Sequence, residues 1–181
     1  MSDAPIRTVV HTDQGLLPFQ EYFVRLQWQP TVESIHFEGI KEAEPTPDVV
    51  QSLREADLII LCPSNPFVSL DPILAMPALR RIIAASRAPK VAVTPIVGGQ
   101  AIRGPAAKMM RELGLEVSPV GVASYYQDLL TGFVLDGQDA GVKTTIAFDL
   151  GISTLVTDTI MDSDRDRTRL AREVLEFAAQ L

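Results

Sequence analysis

A short apolar run at residues 58–62 constrains the fold of this chain more than any other feature. It reads Leu-Ile-Ile-Leu-Cys and predicts a strand that is buried on both faces, as in a parallel sheet. The stiff polar loop Pro63-Ser64-Asn65-Pro66 follows directly, and its serine and asparagine carry side-chain donors and acceptors. In open α/β sheets, ligands bind outside the carboxyl ends of the strands. The loop therefore suits phosphate or sugar oxygens, although the same residues are also ordinary turn chemistry.

Strand and helix signals alternate along the chain, which predicts a three-layer α/β domain. A length of 181 residues suits one domain with a real core, so we expect a single domain over residues 1–181. The strands are predicted at residues 7–12, 34–38, 58–62, 90–94, 132–136 and 153–158. The helices are predicted to begin near residues 18, 47, 77, 106, 120, 139 and 163.

A second polar stretch follows the strand predicted at residues 90–94. Gly98 and Gly99 lie between that strand and the next predicted helix, and Lys108 lies in the first turn of this helix. Paired glycines let backbone N–H groups approach a ligand closely, and a helix N-terminus favours anions. The pattern is neither Gly-x-Gly-x-x-Gly nor a Walker A motif, so a glycine loop without a ligand stays open as the alternative.

Aromatic residues recur at helical spacing near the start of the chain. The positions i, i+3, i+4 and i+7 hold Phe19, Tyr22, Phe23 and Leu26. Pro18 suits the first position of such a helix. Packing in the core explains the stripe most simply, while its aromatic density would also suit a wall against a flat ring.

Charge and composition argue against several classes of partner. The net charge is −7 and no basic stripe offsets it, so we expect no nucleic-acid partner. No apolar run approaches the roughly 20 residues that span a bilayer, and no secretory signal is recognisable, so we expect no membrane partner and a cytoplasmic location. The single cysteine, Cys62, lies in the predicted buried strand, which favours a packed thiol over a reactive one.

A group of acidic residues after the last predicted strand invites a metal interpretation. Its members are Asp158, Asp162, Asp164 and Asp166. The group lacks the glycine and the terminal glutamate of a calcium loop, so we assign no metal ligand to it. Ser163, followed three residues later by Asp166, instead predicts a capping box at a helix start.

Three stretches follow one another in a fixed order along the chain. They are Pro63-Ser64-Asn65-Pro66-Phe67-Val68-Ser69, then Thr94-Pro95-Ile96-Val97-Gly98-Gly99, then Gly104-Pro105-Ala106-Ala107-Lys108-Met109-Met110. Two more join them, Leu17-Pro18-Phe19-Gln20-Glu21-Tyr22-Phe23-Val24 and Val156-Thr157-Asp158-Thr159. Together they resemble the 2-phospho-L-lactate transferase family of coenzyme F420 biosynthesis, including its phosphoenolpyruvate transferase members. The resemblance covers nearly the whole chain and implies a Rossmann-like domain with a mostly parallel sheet.

The resemblance implies a phosphate-bridged group transfer. Family members take a phospholactyl or phosphoenolpyruvyl unit from a guanosine diphosphate carrier and attach it to the terminal ribityl hydroxyl of the deazaflavin Fo. They release GMP and use a divalent metal, usually magnesium. By this resemblance the guanosine nucleotide would contact Ser64, Asn65 and Ser69, with Gly98, Gly99 and Lys108 lining the same cleft. An aromatic helix facing Fo would carry Phe19, Tyr22 and Phe23.

One departure from the family pattern changes the expectation. Family members begin with a glycine-rich strand-to-helix loop, and acidic residues for the metal and Fo also lie in their first part. Nothing of either kind precedes Arg7. We therefore expect a counterpart of the C-terminal part of the enzyme, without the glycine-loop strand and without most metal ligands. Apolar faces that the glycine-loop strand would cover would then be exposed, which favours a homo-oligomer.

Two alternatives to the transferase remain at this point. One is a regulatory protein that resembles the gluconeogenesis-factor family and binds a nucleotide-sugar through a similar loop. The other is a non-catalytic remnant. Binding of a nucleotide-sugar without Fo would favour the regulator, and failure to fold or to bind anything would favour the remnant.

Overall fold

The computed structural model describes residues 1–181. The strands are β1 (Arg7–Thr12), β2 (Gly15–Pro18), β3 (Val32–Glu38), β4 (Ile59–Leu61), β5 (Lys90–Val93), β6 (Ile96–Val97), β7 (Gln100–Ala101), β8 (Gly132–Asp136) and β9 (Ser153–Thr157). The α-helices are α1 (Pro47–Glu55), α2 (Asp71–Leu74), α3 (Pro77–Ala85), α4 (Ala106–Glu112), α5 (Pro119–Tyr125), α6 (Lys143–Asp149) and α7 (Asp164–Ala178). Single π-helical turns cover Glu21–Arg25 and Pro66–Leu70, and a 3-10 helix covers Gly137–Val142.

Four parallel strands form the centre of the molecule, in the order β4-β5-β8-β9. Every residue of β5 and β8 is buried, as the unbroken apolar runs predict. On one face, Phe133 of β8 shares a core with Met109 of α4 and Val122 of α5. On the other face, Val134 of β8 packs with Val174 of α7. Helices thus cover both faces, and the prediction of a three-layer α/β fold with a mostly parallel sheet is confirmed.

The first three strands form a separate antiparallel sheet, in the order β2-β1-β3. A tight turn joins β1 to β2, with Thr12 opposite Gly15. Gly15 has a φ of 101°, and the Thr12 hydroxyl donates to its carbonyl over 2.9 Å. The sequence predicts the two long strands of this sheet but not β2, since a four-residue strand with three exposed or half-exposed apolar positions carries little pattern.

The helix predicted from Pro18 to Leu26 is present with adjusted bounds. Pro18 is the last residue of β2, and residues 19–25 are helical, with the π-turn at Glu21–Arg25. The helix ends before Gln27 and Trp28, which adopt positive φ angles of 45° and 50°. It brings aromatic residues at i, i+3 and i+4 onto one side, as the spacing predicts.

β4 is an edge strand, which corrects the prediction of a strand buried on both faces. Ile59 and Leu61 are buried in the larger core, whereas Ile60 is 41% exposed. Ile60 lies beside Val91 in register, on the face that α7 covers over the inner strands. Cys62 is exposed as well, so the prediction of a packed thiol is also wrong. An apolar composition shows that a strand packs, but it does not show whether both faces of that strand are covered.

The other predicted elements are present with adjusted bounds. The predicted helix at residues 139–150 is divided into the 3-10 helix and α6, and α5 ends at Tyr125. Helix α1 begins at Pro47 as predicted, and the side chain of the preceding Thr46 makes no capping hydrogen bond. The capping box of Ser163 and Asp166 at the start of α7 is confirmed.

Candidate functional site

A polar cleft of about 260 Å³ lies at the carboxyl edge of the parallel sheet. Loops that follow three of the four strands meet there, together with the start of α4 and the first turn of α7. The cleft is lined by Pro63, Ser64, Asn65, Thr94, Pro95, Ile102, Arg103, Ala106, Thr159, Ile160, Met161, Asp162 and Arg167. This is the edge at which open α/β sheets bind their ligands, as the sequence predicts.

The side chain of Asn65 fixes the conformation of the loop after β4. The Asn65 backbone is extended, and its side-chain oxygen accepts a hydrogen bond from the Phe67 N–H over 3.0 Å, which caps the π-turn. Its amide nitrogen donates to the Met109 sulfur of α4 over 3.3 Å. Ser64 lines the cleft beside it. Ser69 lies one turn further on, is exposed and does not line the cleft.

Thr94 is a lining residue that the sequence reasoning did not single out. It is 2% exposed, and its hydroxyl both donates to the Ile96 carbonyl (3.2 Å) and accepts from the Ile96 N–H (3.1 Å). Its own N–H donates to the Val134 carbonyl across the sheet over 3.0 Å. The hydroxyl thus closes the turn that leaves β5. A threonine at the end of a buried strand was the available signal.

The two glycines after β5 form a hairpin turn instead of a strand-to-helix loop. Gly98 and Gly99 have φ angles of 58° and 73°, which are the positive values that a two-residue turn between β6 and β7 requires. The Gly98 N–H donates to an Asp139 carboxylate oxygen over 2.9 Å. Neither glycine lines the cleft. The hairpin therefore shapes the cleft by leading the chain back to Arg103.

Two arginines line the cleft. Arg103 follows the hairpin, is exposed and makes no ion pair, whereas Arg167 pairs with Asp164 over 2.5 Å. Asp162 is the only carboxylate among the lining residues. Arg103 is therefore the lining guanidinium without a counter-charge of its own, and guanidinium geometry matches phosphate oxygens.

Lys108 is not brought into this cleft. Its ammonium group donates to the Pro30 carbonyl over 2.8 Å and pairs with Glu112 over 2.7 Å. Glu112 in turn accepts the Val32 N–H over 3.0 Å. The lysine thus joins α4 to the start of β3, and its contact with a nucleotide stays a prediction.

The wall of the cleft at residues 159–162 is attached to the sheet by a buried carboxylate. Asp136, the last residue of β8, is 4% exposed. One of its oxygens accepts the Thr159 N–H (2.9 Å) and hydroxyl (3.2 Å), and the other accepts the Gln138 N–H (2.9 Å). Burial alone would raise the pKa of Asp136, but these hydrogen bonds outweigh burial and hold the pKa below its ordinary value.

The aromatic residues of the π-turn form a cluster beside the core. Tyr22 is fully buried, and burial followed by the nearby Glu112 charge raises its pKa to about 12. Phe23 lies 5.2 Å from Phe19 and 5.4 Å from Trp28, measured between ring centroids. Phe19 and Phe23 are half-buried and pack against the core, so their contact with Fo stays a prediction.

Two of the acidic residues after β9 take part in an ion pair and a helix cap. Asp158 pairs with Arg169 over 3.2 Å, and Asp166 belongs to the capping box. No three Asp, Glu, His or Cys side chains of this chain are grouped closely enough to hold a metal ion. No helix of the structure is both long and apolar enough to cross a membrane.

The sequence model of the family described as 2-phospho-L-lactate transferase CofD matches residues 1–167. The chain belongs to this family. The resemblance drawn from these stretches is therefore confirmed, and all of them except Leu17–Val24 contribute residues to the lining of the cleft.

Named members of the family are similar over almost the whole chain. A 2-phospho-L-lactate transferase from Methanopyrus kandleri is 37% identical over 181 residues, which is 100% of this chain and 57% of the relative. A phosphoenolpyruvate transferase from Kitasatospora aureofaciens is 38% identical over 180 residues, which is 94% of this chain and 56% of the relative. The chain thus spans somewhat more than half the length of the curated relatives that it matches.

Solved structures support the fold. A crystal structure of a Bacillus halodurans protein matches with a TM-score of 0.62 at 16% identity, covering 96% of this chain and 60% of the other. A second crystal structure of the same protein, described as a member of the UPF0052 family, matches with a TM-score of 0.55 at 14% identity, covering 87% of this chain and 54% of the other. At these identities the likeness shows a shared fold.

Proposed function

We propose that this chain forms the nucleotide-binding part of a 2-phospho-L-lactate or phosphoenolpyruvate transferase of coenzyme F420 biosynthesis. The observation that carries the proposal is the family match over residues 1–167 combined with the polar, arginine-lined cleft at the strand ends. The donor is a guanosine diphosphate carrier of the three-carbon unit, and the acceptor is the deazaflavin Fo.

The transfer breaks the phosphoanhydride bond of the donor and forms a phosphate ester bond to Fo. The terminal ribityl hydroxyl of Fo attacks the phosphorus that carries the three-carbon unit, and the bond from this phosphorus to the GMP oxygen breaks. The hydroxyl proton leaves to solvent or a base, GMP departs, and a phosphodiester remains on Fo. Catalysis of this kind is mostly positioning and neutralisation of charge.

The lining residues suit the donor half of this reaction. Arg103 and Arg167 supply charge for a diphosphate, and Ser64 and Asn65 offer polar groups for phosphate or ribose oxygens. A volume of about 260 Å³ is smaller than the ~300–1,000 Å³ of typical ligand pockets. The cleft therefore accommodates part of a nucleotide, and the remaining contacts come from outside it.

Magnesium is part of the proposal through the family. In phosphate sites this ion takes one or two carboxylates and completes its shell with phosphate oxygens and water. The resemblance implies that the metal ligands lie in the part of the family that this chain does not cover, and no three carboxylate, His or Cys side chains of this chain are grouped to hold the ion. Bound beside the diphosphate, the ion would neutralise part of its charge.

The experiment is a transfer assay on the chain supplied with a polypeptide that carries the part of the relatives it does not cover. Mass spectrometry would follow GMP and the phosphodiester product after addition of Fo and the guanosine diphosphate donor. We expect product with at least one of the two three-carbon donors. Product with neither would contradict the proposal, and tight binding of a nucleotide-sugar without Fo would favour the regulatory alternative.

A substitution tests the site itself. Asn65→Ala removes the cap of the π-turn and a polar lining group, so we expect weaker GDP binding, by about tenfold, because hydrogen bonds of this kind each contribute about 0.5–1.5 kcal/mol. The matched control is Gln51→Ala, an exposed amide on α1. Equal GDP affinity of the two variants would contradict the assignment of Asn65.

A further inference from the structure

The segment at the end of the inner strand β8 carries two carboxylates that bind other elements. Asp139, on the 3-10 helix, accepts the Gly98 N–H of the β6–β7 hairpin over 2.9 Å. Asp136, at the end of β8, accepts the N–H and the hydroxyl of Thr159. The loop that contains Thr159 lines the cleft, and the hairpin leads the chain to Arg103, which also lines it. One short segment therefore contacts two elements that shape the site.

The bond to Thr159 is the stronger of the two attachments. Asp136 and Thr159 are 4% and 7% exposed, so water competes little for their polar groups. All three donors that reach Asp136 approach within 3.2 Å, and two of them come from a residue 23 positions away. Hydrogen bonds to a buried charged group are stronger than those between neutral groups.

A local explanation covers only part of this arrangement. The Gln138 N–H contact is an ordinary turn at a strand end and starts the 3-10 helix. This turn needs only one carboxylate oxygen of Asp136. The other oxygen accepts hydrogen bonds from Thr159 alone. Residues 159–162 all line the cleft, and Thr159 is the one among them that is tied to the sheet by this carboxylate.

We infer that Asp136 is a positioning residue, which holds the wall at residues 159–162 in the place where it meets the phosphate-bearing ligand. The inference rests on the proposed function and deepens it, because it assigns a role to a residue that does not line the cleft. A carboxylate is required at this position because both of its oxygens accept hydrogen bonds from backbone N–H groups. The side-chain amide of an asparagine would place its NH₂ group against one of these N–H donors.

The test compares the variants Asp136→Asn and Asp149→Asn of the full chain. Asp149 is exposed at the end of α6 and has no ion pair, so it is a matched control. Hydrogen exchange would follow the amides of residues 159–162, and calorimetry would measure GDP affinity. We expect faster exchange at residues 159–162 and about tenfold weaker GDP binding for Asp136→Asn, and neither change for the control.

A substitution at the partner residue separates positioning from general stability. Thr159→Val keeps the N–H bond to Asp136 but loses the hydroxyl bond, so its amide exchange at residues 160–162 should fall between wild type and Asp136→Asn. A folded Asp136→Asn chain with unchanged exchange at residues 159–162, or with unchanged GDP affinity, would overturn the inference. If the wild-type chain itself binds no GDP, the proposed function fails; if wild type and Asp136→Asn bind GDP equally, only the inference fails.

Discussion

Replacing Lys108 by methionine should destabilise the chain by about 2 kcal/mol. The ammonium group bridges the Pro30 carbonyl (2.8 Å) and Glu112 (2.7 Å), and methionine keeps the length of the side chain without the charge. Hydrogen bonds to charged groups contribute about 1.5–3 kcal/mol each. We reduce the sum of two because the side chains of Lys108 and Glu112 are 27% and 18% exposed, and because Glu112 keeps its bond to Val32.

The assay is urea unfolding followed by circular dichroism, supported by thermal unfolding. For a domain of this size, 1 kcal/mol corresponds to a shift of roughly 2–4 °C in Tm, so we expect a loss of about 4–8 °C. Lys41→Met, at an exposed lysine without an ion pair, is the control and should change stability by less than about 0.5 kcal/mol. A Lys108→Met chain as stable as this control would refute the structural role. A GDP affinity that falls tenfold in the same variant would show that the ammonium also reaches the nucleotide.

Three further substitutions test the packing and the charges. Gly121→Ala should destabilise the chain by about 3 kcal/mol, because the added Cβ would lie 2.0 Å from the backbone oxygen of Glu116. Gly137→Ala is the control in the same unfolding assay, since a Cβ there would meet no atom within 4 Å. Hydrogen bonds from Ser163 lower the pKa of Asp166. The stabilisation by this cap is therefore complete above the pKa of the carboxyl in the unfolded chain and is lost as the pH falls through its pKa in the folded chain. Helicity of a Ser163→Ala chain should depend less steeply on pH in the acid range, and an unchanged pH dependence would contradict the role. Tyr22→Phe should leave stability unchanged or slightly higher, since the buried hydroxyl has no partner, and a loss above about 1 kcal/mol would show a missing contact.

Strands that lie deep in the parallel sheet could be predicted almost residue by residue. The strand predicted at residues 132–136 has the bounds that the structure gives to β8, and residues 90–94 extend one residue beyond β5. Both are unbroken apolar runs with polar or turn residues at their ends, and burial on both faces leaves no other arrangement for them.

Features that depend on neighbours distant in sequence could not be predicted in the same way. The run at residues 58–62 has the same composition as an inner strand, and its place at the sheet edge follows only from the order of the strands. Gly98 and Gly99 fit a phosphate loop and a hairpin turn equally well, and the pairing of β6 with β7 decides between them.

Some residues of the candidate site could be predicted from local sequence, and others depend on distant neighbours. Ser64 and Asn65 were found because they follow their strand directly in sequence. Arg103 and Arg167 carry no local signal and enter the cleft only because the hairpin and the last helix bring them there. The role of Asp136 depends on a contact with a residue 23 positions away, which no spacing rule reveals.

The central claim is that the strand-end cleft of this chain binds a guanosine nucleotide. The most direct test is calorimetric titration of the purified chain with GDP, with and without magnesium, followed by Fo. We expect saturable GDP binding with one site per chain, weakened in high salt because the arginines contribute charge. The absence of any binding heat from a folded, monodisperse sample would contradict it.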